Sequence, residues 1–275
     1  MRVDLHVHST ASDGTLTPSQ LVTRAHANGV GVLALADHDS INGIAEARLA
    51  AAQLGITVVN AVEFSSVADG FDVHILGYFV DPESPQLAEL LAGLREGRQE
   101  RATAMVDALA AAGFDVSIDD VRAISAGGSV GRSHIARALV DAGHADSVAS
   151  AFQTLIGRGR PFYVPKRSAS PQQVIATIRE LGALPVLAHP GVTQIDDLIP
   201  SLVEAGLLGI EAYHADHTAE QMSSYAALAA DLGLLVTGGS DFHGPQAPNP
   251  DVGSVDVPEA AVAALLRAGE QLRPI

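Results

Sequence analysis

A chain of 275 residues, 47% hydrophobic with a mean hydropathy of +0.23, can bury a sizeable core and does not have the composition of a disordered protein. Its 32 acidic against 16 basic residues leave a formal charge of −16, which argues against an extended nucleic-acid surface because such a field repels phosphate. With no cysteine there are no disulfides or thiolate metal sites, and no apolar run reaches the ~18 residues of a membrane span.

The chain opens on a strand over about residues 2–8. Val3, Leu5 and Val7 alternate with Asp4, His6 and His8, so an extended backbone puts the apolar set on one face and both imidazoles on the other. Asp13 follows in a turn-like Ser12-Asp13-Gly14. Two imidazoles and a nearby carboxylate suit a divalent metal; a satisfied histidine pair on a polar strand is the alternative. The chain enters this strand at once, with no basic or apolar leader, so the expectation is a cytoplasmic protein.

Thr17-Pro18 then starts a helix that stops at Gly29. A buried strand, Val30–Ala36, ends in Asp37-His38-Asp39. A helix over 42–54 stops at Gly55, and a third strand from Ile56 ends at Glu63. After a loop, a fourth strand over 73–80 carries His74. Strands alternating with helices through short connections predict a parallel β/α sheet or barrel, whose active sites lie at strand C-termini.

From about 81 to 183 the pattern becomes helical, with a long Ala/Leu/Arg-rich run over 83–112 and helices near 118–125, 132–142 and 146–156. This predicts a helical insertion in a barrel formed by 1–80 and 184–275, and the insertion would cap a substrate. Within it, Gly157–Arg167 carries Arg158, Arg160, Lys166 and Arg167, either an anion-binding rim or a solvated loop. Beyond a helix at 171–182, strands at 184–189, 208–213 and 234–239 end in His189-Pro190, in Tyr213 followed by His214 and His217, and in Ser240-Asp241-Phe242-His243. A helix over 258–269 closes the pattern.

Nine polar residues thus gather at strand ends: His6, His8, Asp13, His38, Glu63, His74, His189, Asp241 and His243. One ion takes about four to six ligands, so the set suits two or three ions. His6-Val-His8, Ser12-Asp13-Gly14, Asp37-His38-Asp39, Glu63, His74, His189-Pro190 and Ser240–His243 resemble the successive motifs of the PHP (polymerase and histidinol phosphatase) family. The resemblance implies an α/β fold, a distorted (β/α)7 barrel, and three divalent metal ions, Mn²⁺ first with Fe²⁺ or Zn²⁺ as alternatives. His6, His8, Glu63 and Asp241 would hold one ion; Glu63, His74 and His189 the second; and Asp13, His38 and His243 the third.

The same resemblance implies hydrolysis of phosphate esters in small nucleotides, of the 3′,5′-bisphosphonucleotide phosphatase type, by a hydroxide bridging two ions. Its alternatives are a 5′–3′ exoribonuclease on short RNAs, a histidinol phosphate phosphatase and a non-catalytic metal- or nucleotide-binding module. The expected partner is a small phosphorylated substrate, with no membrane and no protein partner evident. Arg132-Ser133-His134, opening a helix of the insertion, is a candidate phosphate clamp, since a guanidinium fork and a helix N-terminus both suit an anion; an ordinary helix turn with a solvated arginine is the alternative. His217 is a candidate general acid or a packing residue. Asp37 or Asp39 is expected to orient an imidazole. His26 and His144, on helices away from the strand ends, read as surface residues.

Overall fold

Capping chemistry places the helices where the sequence signals fall. Thr17 accepts from the Gln20 N–H and Gln20 returns a bond to the Thr17 N–H, with Pro18 as the first helical residue. The structure, a computed structural model, describes residues 2–166, 169–245, 247 and 250–272. In chain order it contains β1 (Arg2–Val7), α1 (Pro18–Ala27), β2 (Val30–Leu35), α2 (Ile44–Leu54), β3 (Thr57–Ala68), β4 (Phe71–Tyr78), α3 (Pro85–Ala111), α4 (Ile118–Ser125), α5 (Arg132–Asp141), α6 (Val148–Ala151) with a π-helical turn over Phe152–Ile156, α7 (Pro171–Glu180), β5 (Leu184–Leu187), α8 (Pro190–Thr193), α9 (Ile199–Glu204), β6 (Gly209–His214), α10 (Ala219–Asp231), β7 (Leu235–Gly239) and α11 (Glu259–Gln271).

The seven strands pair in sequence order as a nearly closed barrel. Past the end of β7 the chain meets β1 again: the Asp241 N–H donates to the His6 carbonyl at 2.9 Å and the His8 N–H to the Phe242 carbonyl at 3.0 Å. The expectation of an all-parallel sheet fails at one strand. β4 is antiparallel to both β3 and β5, while the other neighbours are parallel.

The reason is a two-residue turn. β3 runs on to Ala68, which faces Phe71, and Asp69 and Gly70 both take positive φ (50° and 75°). That backbone matches the twist of a tight hairpin. Because β4 is reversed, His74 in its first half lies at the same barrel end as the C-termini of the parallel strands, opposite Ser65.

Apolar side chains of the strands, α7, α9 and α10 form one core, and β1–β5 with α11 another. Residues 102–164 build a separate apolar cluster from α3, α4, α5, α6 and the π turn, around Met105, Leu109, Ile135 and Leu139. Among the described residues no strand interrupts 79–183. Helix α7 packs on the barrel instead, through Val174, Ile175 and Ile178. No described helix is long and apolar enough to cross a membrane.

Candidate metal centre

The barrel end gathers all nine strand-end residues around one buried volume. Ligand atoms of His6, His8, Glu63 and Asp241 lie within 4.8 Å of one another; so do those of His8, Asp13, His38 and His243, and those of His38, Glu63 and His74. His189 Nε2 completes the ring 3.0 Å from Glu63 Oε1. Glu63 is the hub: its Oε2 is 3.3 Å from His6, 3.2 Å from His8 and 3.0 Å from His38, and its Oε1 is 2.7 Å from His74.

The donor set can be tested for its fit to metal. His38 Nδ1, Glu63 Oε2, His74 Nδ1 and Asp241 Oδ1 are buried without a hydrogen-bond partner, although the closest of them are within hydrogen-bonding distance of each other. Such atoms direct lone pairs at shared space rather than at one another, and leaving them so is costly unless a cation sits there. Oxygen and imidazole nitrogen are donors that Mn²⁺, Fe²⁺ and Zn²⁺ accept, so the residues fit.

Electrostatics point the same way. Burial lowers the His8 pKa, but Asp241 and Glu63 overcome it and push the ring up to about 10. His6 is likewise raised well above its ordinary value against burial, by Glu211, Glu63 and Asp241. Burial wins at His38, which falls to about 4 despite Glu63. Against their own burial, Glu63 and Asp241 are held well below the usual carboxylate range by the surrounding histidines. Protons thus occupy positions where metal would displace them.

Backbone strain collects here too. Asp39, His189 and Asp241 all have positive φ (50°, 30° and 51°), and each sits just past a strand at this end. For His189 the compensation is visible: its N–H donates to Glu211 Oε2 at 2.9 Å.

Glu211 is the residue that sequence reasoning missed. Its carboxylate faces His6 Nδ1 at 3.0 and 3.2 Å, which puts that ring's proton on Nδ1 and turns the Nε2 lone pair toward the cluster. Asp37 and Asp39, expected in such a role, do not perform it. Asp37 accepts from Ser9 and Ser12, and Asp39 accepts from Arg98 and the Ser65 N–H. The chemical signal for Glu211 was a carboxylate inside the apolar run of β6. His214, on the same strand, approaches Asp241 at 3.6 Å through Nε2.

The insertion meets this centre across a cleft of ≈ 160 Å³. Asp13, His38 and His74 line one side, and Arg98, Arg101, Arg132 and Lys166 the other. Arg132 is half-buried and paired: Nη2 is 2.9 Å from Asp72 Oδ2, and the guanidinium stacks 5.4 Å from the Phe152 ring centre. Lys166, buried 3.8 Å from Asp39, is lowered to about 7 by burial and by Arg98, with Asp39 opposing. Of the basic loop, Arg158 and Arg160 are exposed, and Arg167 lies outside the described residues.

Three expected contacts fall elsewhere. Ser133 lines the cleft but donates to Asp13 Oδ2 at 2.7 Å. His134 is buried, with Nδ1 accepting from the Gly131 N–H, so it caps α5 rather than facing a substrate. His217 has both nitrogens committed, Nε2 accepting from the Gly191 N–H and Nδ1 donating to the Ala212 carbonyl, the contacts of a packing residue. His26 is exposed; His144 is half-buried, accepting from the Asp115 N–H.

Known proteins share this architecture. The chain is 40% identical over 260 residues to the 3′,5′-nucleoside bisphosphate phosphatase of Chromobacterium violaceum, covering 92% of this chain and 91% of the relative. It is 38% identical over 249 residues to a 5′-3′ exoribonuclease of Haemophilus influenzae, covering 89% and 90%. A crystal structure from Bifidobacterium adolescentis, assigned as a metal-dependent phosphoesterase, superposes with a TM-score of 0.89 at 33% identity over 97% of this chain and 96% of that one. The PHP domain matches residues 4–158, more than half of the chain. This chain belongs to the PHP-domain family.

Proposed function

We propose that the chain hydrolyses phosphate esters in small nucleotides, as a 3′,5′-bisphosphonucleotide phosphatase, with three divalent ions as cofactors, Mn²⁺ first and Fe²⁺ or Zn²⁺ as alternatives. One observation carries the reading: the cation-lined cleft opens directly onto the imidazole–carboxylate cluster. A substrate with one phosphoryl group at the cluster and a second anion in the cleft matches both walls.

His6, His8, Glu63 and Asp241 would hold the first ion, Glu63 with His74 and His189 the second, and Asp13, His38 and His243 the third. Bound there, the ions would lower the pKa of water and offset charge on the phosphoryl oxygens. Glu211 keeps the His6 proton on Nδ1. Arg101, Arg132 and Lys166 bind and orient the non-reacting anion, and Arg98 holds Asp39 and Ser65 in place. Ala102, Met105, Val130, Ile135 and Phe152 give the cleft an apolar wall against which a nucleoside can rest.

The relatives named as a bisphosphate phosphatase and as an exoribonuclease support phosphoester chemistry on nucleotides. The modest cleft and the charge of −16 favour a mononucleotide over a longer chain. Product analysis separates the two. Mn²⁺-loaded protein given adenosine 3′,5′-bisphosphate should release inorganic phosphate and a nucleoside monophosphate. Mononucleotide release from a 5′-phosphorylated RNA dinucleotide alone would move the assignment to the exoribonuclease, and turnover of neither would end it.

A further inference from the structure

The loop carrying Asp13 is held from two sides. On the barrel side, Asp37 accepts from the Ser9 N–H and hydroxyl at 2.7 Å each and from the Ser12 hydroxyl at 2.6 Å. These bonds fix the base of the loop and leave the Asp13 carboxylate and the carbonyls of residues 11–13 to be satisfied elsewhere.

The insertion meets the Ala11 and Asp13 carbonyls and one oxygen of the Asp13 carboxylate. The Ser129 N–H donates to the Ala11 carbonyl at 3.0 Å. The His134 ring is turned toward the Ser12 backbone, and its Nδ1 accepts from the Gly131 N–H. The Arg137 guanidinium donates to the Asp13 carbonyl, and the Ser133 hydroxyl donates to Asp13 Oδ2 at 2.7 Å. Oδ1 is left facing His243 Nε2 at 3.2 Å. Ser133 and Arg137 occupy the first turns of α5, so one rigid element makes two of the three hydrogen bonds, with His134 beside them. The approach is close: a Cβ on Gly128 would stand 2.5 Å from the Thr10 carbonyl oxygen.

We infer that residues 129–137 of the insertion position Asp13, so that this segment completes the third ion's ligand set as well as walling the cleft. Ser133 and Arg137 are then positioning residues. The inference rests on the proposed reading of Asp13 as a metal ligand. Its physical content is selection of one carboxylate oxygen. With Oδ2 engaged by a hydroxyl, Oδ1 is held toward His38, His243 and His8; without that bond the long 3.4 Å contact with Ser12 Oγ and the His243 ring are what remain to orient the carboxylate.

Mn²⁺ titration with measurement of bound metal tests this in the full chain. Ser133→Ala should bind its weakest Mn²⁺ equivalent about 10–100-fold less tightly, with kcat reduced and KM little changed. Ser133→Thr, which keeps the hydroxyl, should restore the affinity. Arg137→Lys should weaken the same equivalent, and it tests the claim separately should Ser133→Ala fold poorly. Wild-type Mn²⁺ affinity in both Ser133→Ala and Arg137→Lys, with KM raised instead, would overturn the inference and return Ser133 to substrate binding. A wild-type chain that binds no Mn²⁺ would remove the metal reading itself, a result distinct from the first.

Discussion

On the barrel side of the cleft, imidazoles and carboxylates crowd together with lone pairs unanswered; on the insertion side, guanidinium and ammonium groups are each answered by a carboxylate. Glu63 touches five histidines and still leaves Oε2 without a hydrogen bond. Arg98 and Lys166 share Asp39, and Arg101 and Arg132 share Asp72. The barrel wall is therefore short of cations, whereas the insertion wall has four cationic side chains for two carboxylates and is short of anions. A metal ion would meet the first need and a phosphate the second, the pairing that the proposed function requires.

The contrast can be broken from either side. Barrel-wall variants should change metal content and kcat, and the largest effect belongs to Glu63→Gln. It removes charge from the hub, so kcat should fall on the order of 10³-fold with loss of bound metal. Metal analysis showing full occupancy and a near-normal rate would remove Glu63 from the centre.

Insertion-wall variants should change KM. Lys166→Ala deletes a charge-assisted contact and should raise KM for a bisphosphonucleotide by roughly 10–100-fold, leaving metal content intact. Its pKa of about 7, set by burial and Arg98 against Asp39, with Asp72 and Arg101 also facing it, gives a sign. Below that value the ammonium is charged and binds anions; above it the charge is lost. KM should therefore rise as pH increases from about 6 to 8, and Lys166→Arg should flatten the profile. A pH-independent KM in wild type would show that Lys166 does not touch the substrate.

Two smaller effects sharpen the boundary of the site. Glu211→Gln keeps the shape but not the charge behind His6, and metal affinity should drop about tenfold; isothermal titration that finds no change would make Glu211 a purely structural acid. His217→Ala should cost about 1–3 kcal/mol of stability by orphaning the Gly191 N–H, without altering turnover per folded molecule. A specific loss of turnover, measured at matched folded fraction, would restore His217 as an acid.

Much of the barrel side was legible because period-two alternation fixes which face a strand residue takes, and strand ends in β/α folds converge. His6 and His8 follow from that rule alone. The β3–β4 reversal was also written in the chain, as Asp69-Gly70 between two strand-forming runs, but periodicity does not report direction. Glu211 stayed hidden because it sits inside the apolar run of β6, where a buried charge is explained only by its partner. The insertion side was least readable. Ser133 and His134 were placed correctly at a helix start, yet their partners, Asp13 and the Ser12 backbone, are about 120 residues away, and local pattern carries no record of such contacts. Lys166 differed from Arg158 and Arg160 only in tertiary burial.

The central claim is that a cluster of histidines and carboxylates holding divalent ions drives phosphoester hydrolysis. Chelator-stripped protein titrated with Mn²⁺, with phosphate release from adenosine 3′,5′-bisphosphate followed alongside bound metal, tests it most directly. The account predicts a silent stripped protein whose rate grows with occupancy and is complete at three equivalents. Full turnover by stripped protein, or saturation with Mn²⁺ and no phosphate released, would contradict it.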